Sequence, residues 1–591
     1  MNVKEAFAAA ETYEQQSPLE NGPQWGFRLL EHSVEWRDDS GDAPEWRRLC
    51  DPLEVAADTR DAGSENWGRL LVFKDRDGVT HEWAAAAADL SRTQSGDVIA
   101  HLARLGFVPP VSMRDKNRLV EYIVTARPTA RFRAVGRVGW EGPVFVLPDA
   151  SYGGDSGERI WFQLEGAQVE HSYRTAGDLA EWQRRIAKPS AGNTRLVFAI
   201  CCALTGPLLK LLGGEGGGFH FRGGSSIGKS TALNVASSVW GGGGISGFSR
   251  TWRATDNGLE GVAVQHCDTF LALDELGQVD GRAAAASAYM LANGQGKSRA
   301  GKTGAARQAA TWRVLFLSTG EISLADKISE DGRGPKAKAG QEVRILDIPA
   351  DPGAGLGLFD HLPDGVDGAA FAGVLNRAAS EVYGTPSRAF IEWLCTDTER
   401  ATVAARRIQD RMLAELVPAD ADGQVKRAAG RFALVAAAGE LAIHAGVKPW
   451  ESGEACRAAT ACFNAWLEAR GGSGPGEIRD GIEQVRLFLE KHGASRFQAW
   501  DAVSETVRNR AGFLRTDHGN GQSFYILSAV WKSEVCQGRD AKAVAAALIE
   551  RGILEPDPDG KPSRSQTIPA LGHSARLYCI NSGIFEGATD G

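Results

Sequence analysis

The sequence predicts a multidomain α/β protein organised around a P-loop NTPase core. A glycine-rich loop of the phosphate-binding pattern lies between a short apolar strand and a helix. Apolar strands alternate with helices beyond it, as in a parallel sheet covered on both faces, and glycine-rich breaks mark its borders. The predicted divisions are an α+β domain at 1–190, the core at 191–355, a helical lid at 356–470, a linker at 471–476 and a winged-helix-like domain at 477–591.

Composition is that of a globular protein with several packed cores. The 591 residues are 43% hydrophobic and 24% charged. The nine cysteines form no C-x-x-C pair, and neither a signal peptide nor a membrane-spanning run is recognisable, so we expect a reduced, cytoplasmic protein with no membrane partner. The net charge of −8 disfavours nucleic-acid binding, but 15 acids against 6 bases in residues 1–66 account for it.

The first predicted domain shows strand and helix periodicity and no catalytic pattern. Residues 67–73 and 79–83 alternate around a D-G turn, which predicts an antiparallel pair. Residues 131–138 and 144–147 have the pattern of a second hairpin. A long apolar helix is expected at 196–212, leading into the core.

The phosphate-binding loop reads G-x-x-x-x-G-K-S, with a strand at 219–222 before it. Successive backbone N–H groups and a helix N-terminus point at phosphate oxygens in such a loop. Lys229 would bring positive charge to the β- and γ-phosphates and the Ser230 hydroxyl suits Mg²⁺, so ATP and Mg²⁺ are the expected cofactors. The residues assigned to the nucleotide are Gly223, Gly224, Ser225, Ser226, Ile227, Gly228, Lys229, Ser230 and Thr231.

Two carboxylates follow a second apolar strand, at 270–273. Because such strands end at the carboxyl edge of a parallel sheet, Asp274 and Glu275 are expected beside the phosphate loop. Asp274 would hold Mg²⁺ through water, and Glu275 would act as the general base that polarises the attacking water. An ordinary apolar strand that happens to end in D-E is the alternative.

A third apolar strand, within 312–321, ends in the hydroxyls of Ser318 and Thr319. In ring ATPases the strand after the acidic pair carries a polar residue that senses the γ-phosphate, so both are candidates. Alternatively, these hydroxyls only cap the following segment.

A basic, acid-free segment lies between the second and third strands. Residues 293–313 contain five bases and no acid, with glycines that allow tight turns. This pattern predicts a basic hairpin that tracks the phosphates of nucleic acid, or else a solvated loop. The candidate DNA contacts are Lys297, Arg299, Lys302 and Arg307.

Two further arginines are candidates for completing the site. Arg344 lies in an apolar segment near the end of the predicted sheet, where it could reach the γ-phosphate of a neighbouring subunit. An ion pair with Asp347 or Glu342 is the other interpretation. Arg427 precedes the apolar stripe of a predicted lid helix, where it would offer a cation to the nucleotide or simply be solvated.

The chain after residue 476 has helices followed by a hairpin-like stretch and a polar loop with Lys561 and Arg564. That order is similar to a winged helix, a fold that binds nucleic acid or protein. Composition does not separate the two.

The ordered set of segments resembles the family filed as domain of unknown function 927, whose members are helicases of phages, plasmids and mobile elements. Some members resemble the minichromosome-maintenance group of hexameric AAA+ helicases. The resemblance spans about residues 20–470 and rests on 219–241, 271–278, 289–300, 312–321, 341–350 and 427–440.

This resemblance implies an ATP-dependent DNA helicase that forms a homo-oligomeric ring, with six subunits as the expectation. DNA, as a single strand in a central pore, would be the partner. Thr319 would be the sensor rather than Ser318, Arg344 the arginine finger and Arg427 the lid sensor. The competing hypothesis is a non-helicase AAA+ ATPase, such as a helicase loader, a regulator or a protein remodeller.

Overall fold

The computed structural model describes residues 26–91, 95–154, 159–163, 172–244, 247–253, 256–297, 299–300, 306–307, 309–330, 344–418, 421–470, 476–502, 507–516 and 521–585. Two compact units divide these residues. The first holds residues up to 330 together with 344–412 and 431–462, and the second holds 413–430 and the residues from 463 onward. The predicted borders at 190, 355 and 470 stay predictions, and the predicted linker falls almost entirely outside the described residues.

The first part of the larger unit is α+β. Its elements are β1 (Phe27–Leu30), β2 (Ser33–Asp38), β3 (Glu45–Cys50), β4 (Leu53–Arg60), β5 (Gly68–Lys74), β6 (Thr80–Ala86), α1 (Ser95–Arg104), α2 (Met113–Thr125), β7 (Ala130–Val135), β8 (Gly139–Glu141), β9 (Val144–Val146), β10 (Ser151–Tyr152) and β11 (Arg159–Phe162). They form sheets in the orders β1-β2-β3, β11-β7-β4-β5-β6 and β10-β9-β8.

The predicted pairing of β5 with β6 is confirmed. The two strands run antiparallel, and the Asp75 carboxylate accepts the turn's N–H groups of Asp77 and Val79 at 2.9 and 2.8 Å. Gly78 supplies the left-handed turn residue, with φ of 81°.

The second predicted hairpin is wrong. Strand β7 pairs in parallel with β4 and β11, whereas β9 pairs with β8 and β10 in a separate sheet. Alternating patterns show that a segment is a strand, but the buried faces of distant strands decide which strand is its partner.

A helical stretch leads into the core. It consists of Leu179–Trp182, a π-helical turn at Gln183–Ala187 and Lys188–Ser190, followed by α3 (Thr194–Ala203) and α4 (Gly206–Leu212). The single helix predicted at 196–212 is thus broken, with a bend of 62° between its halves. Pro207 near the start of α4 has no N–H to continue the helical ladder, which explains the break.

Helices α3 and α4 belong to the protein interior. Every residue from Arg195 to Leu209 is buried. Among the described helices, none is by itself long and apolar enough to cross a bilayer; α3 and α4 reach that composition only when taken together.

The core alternates strand and helix as predicted. Its elements are β12 (Gly217–Arg222), α5 (Lys229–Ser237), β13 (Arg250–Thr251), α6 (Asp256–Gln265), β14 (Phe270–Asp274), α7 (Gly281–Asn293), β15 (Arg299–Ala300), β16 (Ala306–Arg307), β17 (Leu315–Gly320), α8 (Leu324–Glu330) and β18 (Ile345–Pro349). Five strands form a parallel sheet in the order β13-β14-β17-β12-β18. Strand β17, later in sequence, therefore lies between β12 and β14.

Helices follow the sheet, in agreement with the prediction. They are α9 (Gly368–Glu381), α10 (Thr385–Thr396), α11 (Thr398–Leu416), α12 (Gly423–His444) and α13 (Glu454–Ala469). The Asp367 side chain caps α9 by accepting the N–H of Ala370 at 2.7 Å.

The smaller unit ends in an α/β segment. Its elements are α14 (Gly476–Arg496), β19 (Phe497–Ala499), β20 (Gly512–Thr516), β21 (Gln522–Leu527), a helix at Ser528–Val530 that continues as a π-turn at Trp531–Val535, α15 (Ala541–Glu550), β22 (Leu554–Glu555), β23 (Arg564–Ile568) and β24 (His573–Asn581). Strand β21 pairs antiparallel with both β20 and β24, and β24 also pairs with β23. The predicted hairpin-like stretch is confirmed as the antiparallel pair of β20 and β21.

Candidate nucleotide-binding site

The phosphate-binding loop connects the carboxyl end of β12 to the start of α5. Gly228, at φ of 104°, occupies the position before the helix, and none of the side chains that the structure describes caps that helix end. Ser226 is also left-handed, at φ of 62°. Residues 224–226 are exposed. A helix start that the described side chains leave uncapped is the arrangement that receives phosphate oxygens in P-loops.

The segment after β18 packs beneath this loop. The N–H of Leu358 donates to the carbonyl of Ile227 at 2.8 Å. A Cβ at Gly228 would lie 3.3 Å from the Leu358 Cβ, so the glycine also serves close packing. Sequence reasoning did not find this support, because no local pattern links residues 227 and 358.

The Lys229 side chain lies along the loop. Its Nζ donates to the Gly223 carbonyl at 2.8 Å and also to that of Gly224. Burial lowers the pKa of Lys229, while the charges of Glu321 and Asp274 oppose that shift. The predicted phosphate-binding lysine and the first predicted carboxylate are therefore close enough to interact electrostatically.

Asp274 and Glu275 end strand β14 in different environments. Asp274 is half-buried, and its Oδ1 accepts the backbone N–H of Glu275 at 3.0 Å. Glu275 is exposed and left-handed, with φ of 59°. Such a conformation costs a non-glycine residue on the order of 1 kcal/mol and often marks a functional position. The Glu275 carboxylate accepts a hydrogen bond from the Gln278 side-chain amide.

Thr319 joins β17 to the acidic pair. Its hydroxyl donates to the Asp274 carboxylate, and the residue is almost fully buried. Because β17 lies between β12 and β14, the ends of three adjacent strands bring the loop, Asp274 and Thr319 to one edge of the sheet. The cap of the next helix is a different hydroxyl, that of Ser323, which accepts the N–H of Asp326 at 2.9 Å.

Ser318 lies on the other face of β17 in a buried hydrogen-bond chain. The Trp252 indole N–H donates to the Ser318 Oγ at 2.7 Å, and that Oγ lies 3.0 Å from His220 Nδ1. His220 Nε2 lies 3.1 Å from the Ile322 carbonyl, which can only accept. The proton of the neutral ring is therefore on Nε2, and Nδ1 accepts from Ser318.

This chain places a neutral histidine under the site. Burial lowers the pKa of His220 to about 4. The Trp252 backbone N–H also donates to the Asp274 carbonyl at 3.2 Å. Neither His220 nor Trp252 was predicted from the sequence. His220 could have been recognised as a histidine within an otherwise apolar strand, whereas no sequence pattern marks Trp252.

Arg344 lies at the opposite edge of the sheet from the phosphate loop. It precedes β18, whereas the loop follows the parallel strand β12. Its guanidinium stacks on the Tyr289 ring at 4.2 Å, and its carbonyl accepts from the Gly218 N–H at 2.9 Å. Arg344 is separated from the phosphate loop of its own chain by the length of β18. At about 3.3 Å per residue, this distance is well over 10 Å.

Two arginines of α12 differ in burial. Arg427 is exposed, and its assignment as lid sensor stays a prediction. Arg431, which has the same sequence signal as a lid cation, is buried instead and contacts the carbonyls of Arg344 and Gly216 at 3.3 Å each. Burial lowers the pKa of Arg431 to about 10.

The predicted basic hairpin is present as the short antiparallel pair of β15 and β16, in which Arg299 is opposite Arg307. Lys297 is exposed, and Lys302 lies outside the described residues. Arg313, the fifth base of the segment, forms two 2.7 Å hydrogen bonds with the fully buried carboxylate of Asp268. The DNA role of the other four stays a prediction.

Comparisons with known proteins support this architecture. The protein-family profile described as "Domain of unknown function (DUF927)" matches residues 30–311. No curated protein matches the sequence. The chain is similar to the solved structure titled "SCCmec type IV Cch - active helicase", with a TM-score of 0.65, 18% sequence identity, and coverage of 95% of this chain and 97% of that chain. At this identity the likeness shows a shared fold, over nearly the whole length of both chains.

Proposed function

We propose that the protein is an ATP-driven, ring-forming DNA helicase or translocase that serves the replication of a phage, plasmid or other mobile element. The observation that carries the proposal is the convergence of the phosphate loop, Asp274 and Thr319 at one sheet edge. Support comes from the likeness in fold to a structure whose title names an active helicase.

In this proposal, the Lys229 Nζ gives up its hydrogen bonds to the loop carbonyls and binds the β- and γ-phosphates of ATP. Glu275, exposed beyond the end of β14, accepts the proton of the attacking water as general base. Thr319 senses the γ-phosphate through its contact with Asp274. The Ser318 hydroxyl is engaged by His220 and Trp252, so we assign it a positioning role.

The donor set fits Mg²⁺. Ser230 offers an exposed hydroxyl in the first turn of α5, and Asp274 a half-buried carboxylate oriented by the Glu275 N–H and Thr319. Mg²⁺ usually binds through one or two protein oxygens plus phosphates, which this site could supply. When bound, the ion would neutralise charge on the phosphates.

Assembly into a ring would complete the site. Arg344 is too far from the loop of its own chain to serve it, so we propose that it acts as an arginine finger on the nucleotide of a neighbouring subunit. A homohexamer with ATP at each interface is the arrangement we favour.

The β15–β16 hairpin is the proposed DNA contact. Lys297, Arg299, Lys302 and Arg307 would follow the phosphates of a single strand in the ring's pore, with affinity that falls steeply with salt.

A non-helicase ATPase is the second candidate, and one observation favours it. In the proposed winged helix, Arg564 pairs with Glu555 at 2.6 Å and Lys561 with Asp559 at 3.3 Å, while the β23–β24 turn at 569–572 contains no charged residue. These bases are already occupied by acids, which suits protein contact better than DNA binding.

The test of catalysis compares wild type with Lys229→Ala and Glu275→Gln. We expect each variant to lose ATPase activity and strand displacement by roughly 100-fold or more, because each removes charge stabilisation or proton transfer. Circular dichroism should be unchanged, since both side chains are at least partly exposed. Strand displacement that survives in Lys229→Ala would refute the mechanism.

The test of the DNA interface measures binding and its salt dependence for Lys302→Ala combined with Arg299→Ala. We expect weaker binding to every sequence and a salt slope smaller by about 2, because each removed cation leaves one phosphate without its neutralising partner. Arg114→Ala, an exposed base remote in sequence, is the matched control. An ATPase rate that neither single-stranded nor duplex DNA changes would favour the non-helicase ATPase.

A further inference from the structure

A cavity lies among the helices after the sheet. Its volume is about 530 Å³, and it is bounded by the end of α10, the first four turns of α11, the end of α12 and Ser452. None of its lining residues belongs to the phosphate loop, β14 or β17. The space exists because Ala401 and Ala404 present only methyl groups along the wall that α11 provides.

Three arginines line this cavity from one face of α11. Arg407 and Arg411 follow Arg400 by seven and eleven residues, which are close to two and three full helical turns. The three guanidinium groups therefore lie along one stripe. Arg406 is on the same helix and exposed but does not line the cavity.

The two acids of the lining are held by backbone groups. Both oxygens of the buried Glu440 carboxylate accept N–H bonds, from Gly453 at 2.8 Å and Cys456 at 3.1 Å. Asp397 caps α11 by accepting the N–H of Arg400 at 2.9 Å. The lining thus has three cations against two carboxylates, and each carboxylate already accepts at least one backbone hydrogen bond.

An aromatic wall completes the cavity. The rings of Trp393 and His444 meet edge to face, with centroids 5.9 Å apart, and Ile408 and Leu441 add apolar surface. A planar ring can stack on such a wall, and guanidinium groups bind phosphate through paired N–H donors. A cavity of this volume is typical of small-molecule sites.

We propose that this cavity is a second nucleotide site, which binds a purine nucleoside polyphosphate independently of the phosphate loop. Trp393 contacts the base, and Arg400, Arg407 and Arg411 bind the phosphates. The volume of about 530 Å³ is in the range of small-molecule sites, which favours a mononucleotide over a nucleic-acid strand.

The experiment uses the full-length Lys229→Ala protein, in which binding at the phosphate loop is impaired, with ATP as the titrated probe. Calorimetry should detect one remaining site. Adding Arg407→Ala should weaken its Kd at least tenfold, whereas the matched control Arg406→Ala should leave it within twofold. Arg400→Gln provides a second variant if Arg407→Ala does not fold.

A further measurement distinguishes direct contact with ATP from an effect on the stability of the protein. Trp393→Ala should weaken ATP binding while leaving tripolyphosphate binding within twofold, because only the base meets the indole. The proposal is overturned if Lys229→Ala binds no ATP, or if Arg406→Ala and Arg407→Ala weaken binding equally. It is also overturned if a single-stranded oligonucleotide occupies the cavity more tightly than ATP, which would assign it to nucleic acid. None of these outcomes depends on helicase activity.

Discussion

Replacement of Arg313 by alanine should destabilise the protein without weakening DNA binding. Asp268 is fully buried, and Arg313 supplies two of its hydrogen bonds, both 2.7 Å long. In Arg313→Ala the carboxylate keeps the Trp140 N–H at 3.0 Å but loses its counter-charge. Breaking a buried ion pair costs about 3–5 kcal/mol, and we expect the lower end, near 3 kcal/mol, because the Arg313 side chain is 32% exposed and water can reach the gap.

Thermal unfolding monitored by circular dichroism measures this destabilisation. For a large domain, about 3 kcal/mol corresponds to a fall in the melting temperature of roughly 5 °C. Adding Asp268→Asn to Arg313→Ala should recover about 1–2 kcal/mol, since the uncompensated charge is removed while an acceptor for Trp140 remains. Lys297→Ala, at an exposed position of the same basic segment, should not change the melting temperature.

DNA binding provides the opposing readout. Arg313→Ala should keep the DNA affinity and salt slope of wild type. A variant that melts like wild type but binds DNA less tightly would show that Arg313 is a nucleic-acid contact, and the inference from its ion pair with Asp268 would be refuted.

Three further predictions concern pH, packing and the site. Burial lowers the pKa values of His220 and His266 to about 4, so the unfolded state binds more protons than the folded state between pH 6.5 and 4. The free energy of unfolding should therefore fall by about 2 kcal/mol per histidine from pH 8 to pH 5. Denaturant titrations of His220→Gln should show a correspondingly smaller fall. In the same assay, Gly206→Ala should lower the free energy of unfolding by about 1–3 kcal/mol, because the new Cβ would lie 1.9 Å from a backbone carbonyl oxygen just before β14. Gly430→Ala should instead stabilise the protein by about 0.5–1 kcal/mol, because open space surrounds this position in a helix. Equal effects of the two substitutions would contradict this packing. Thr319→Val should reduce the ATPase kcat at least tenfold with nucleotide affinity nearly unchanged, and Thr319→Ser should restore it; a normal kcat in the valine variant would remove the sensor assignment.

The elements nearest the loop were predictable because their signals are local. The residues of a phosphate loop are contiguous, and the apolar strands on either side of the acidic pair are buried on both faces, so each is recognisable from a few neighbouring side chains. The same holds for the basic hairpin and for the helices and strands of the last part of the chain.

Partners remote in sequence could not be predicted in this way. The break between α3 and α4 had a local cause in Pro207, but the neighbours of β7 and β9 depend on which distant strands bury their faces. Arg313 and Arg431 show the same limit among charged residues. Each resembles a surface cation in sequence, yet Arg313 pairs with the buried Asp268 and Arg431 is itself buried against two carbonyls.

The sequence by itself determined the chemistry available to this protein: a phosphate loop with Lys229, a carboxylate pair at Asp274 and Glu275, and hydroxyls at the end of a later strand. Only the tertiary structure decided how these groups meet. The strand order puts β17 between β12 and β14, so Thr319 reaches Asp274 while Ser318, on the opposite face, bonds to His220 and Trp252. The physical reason is that alternation along a strand fixes which residues share a face, whereas sheet order, set by long-range burial, fixes what each face touches.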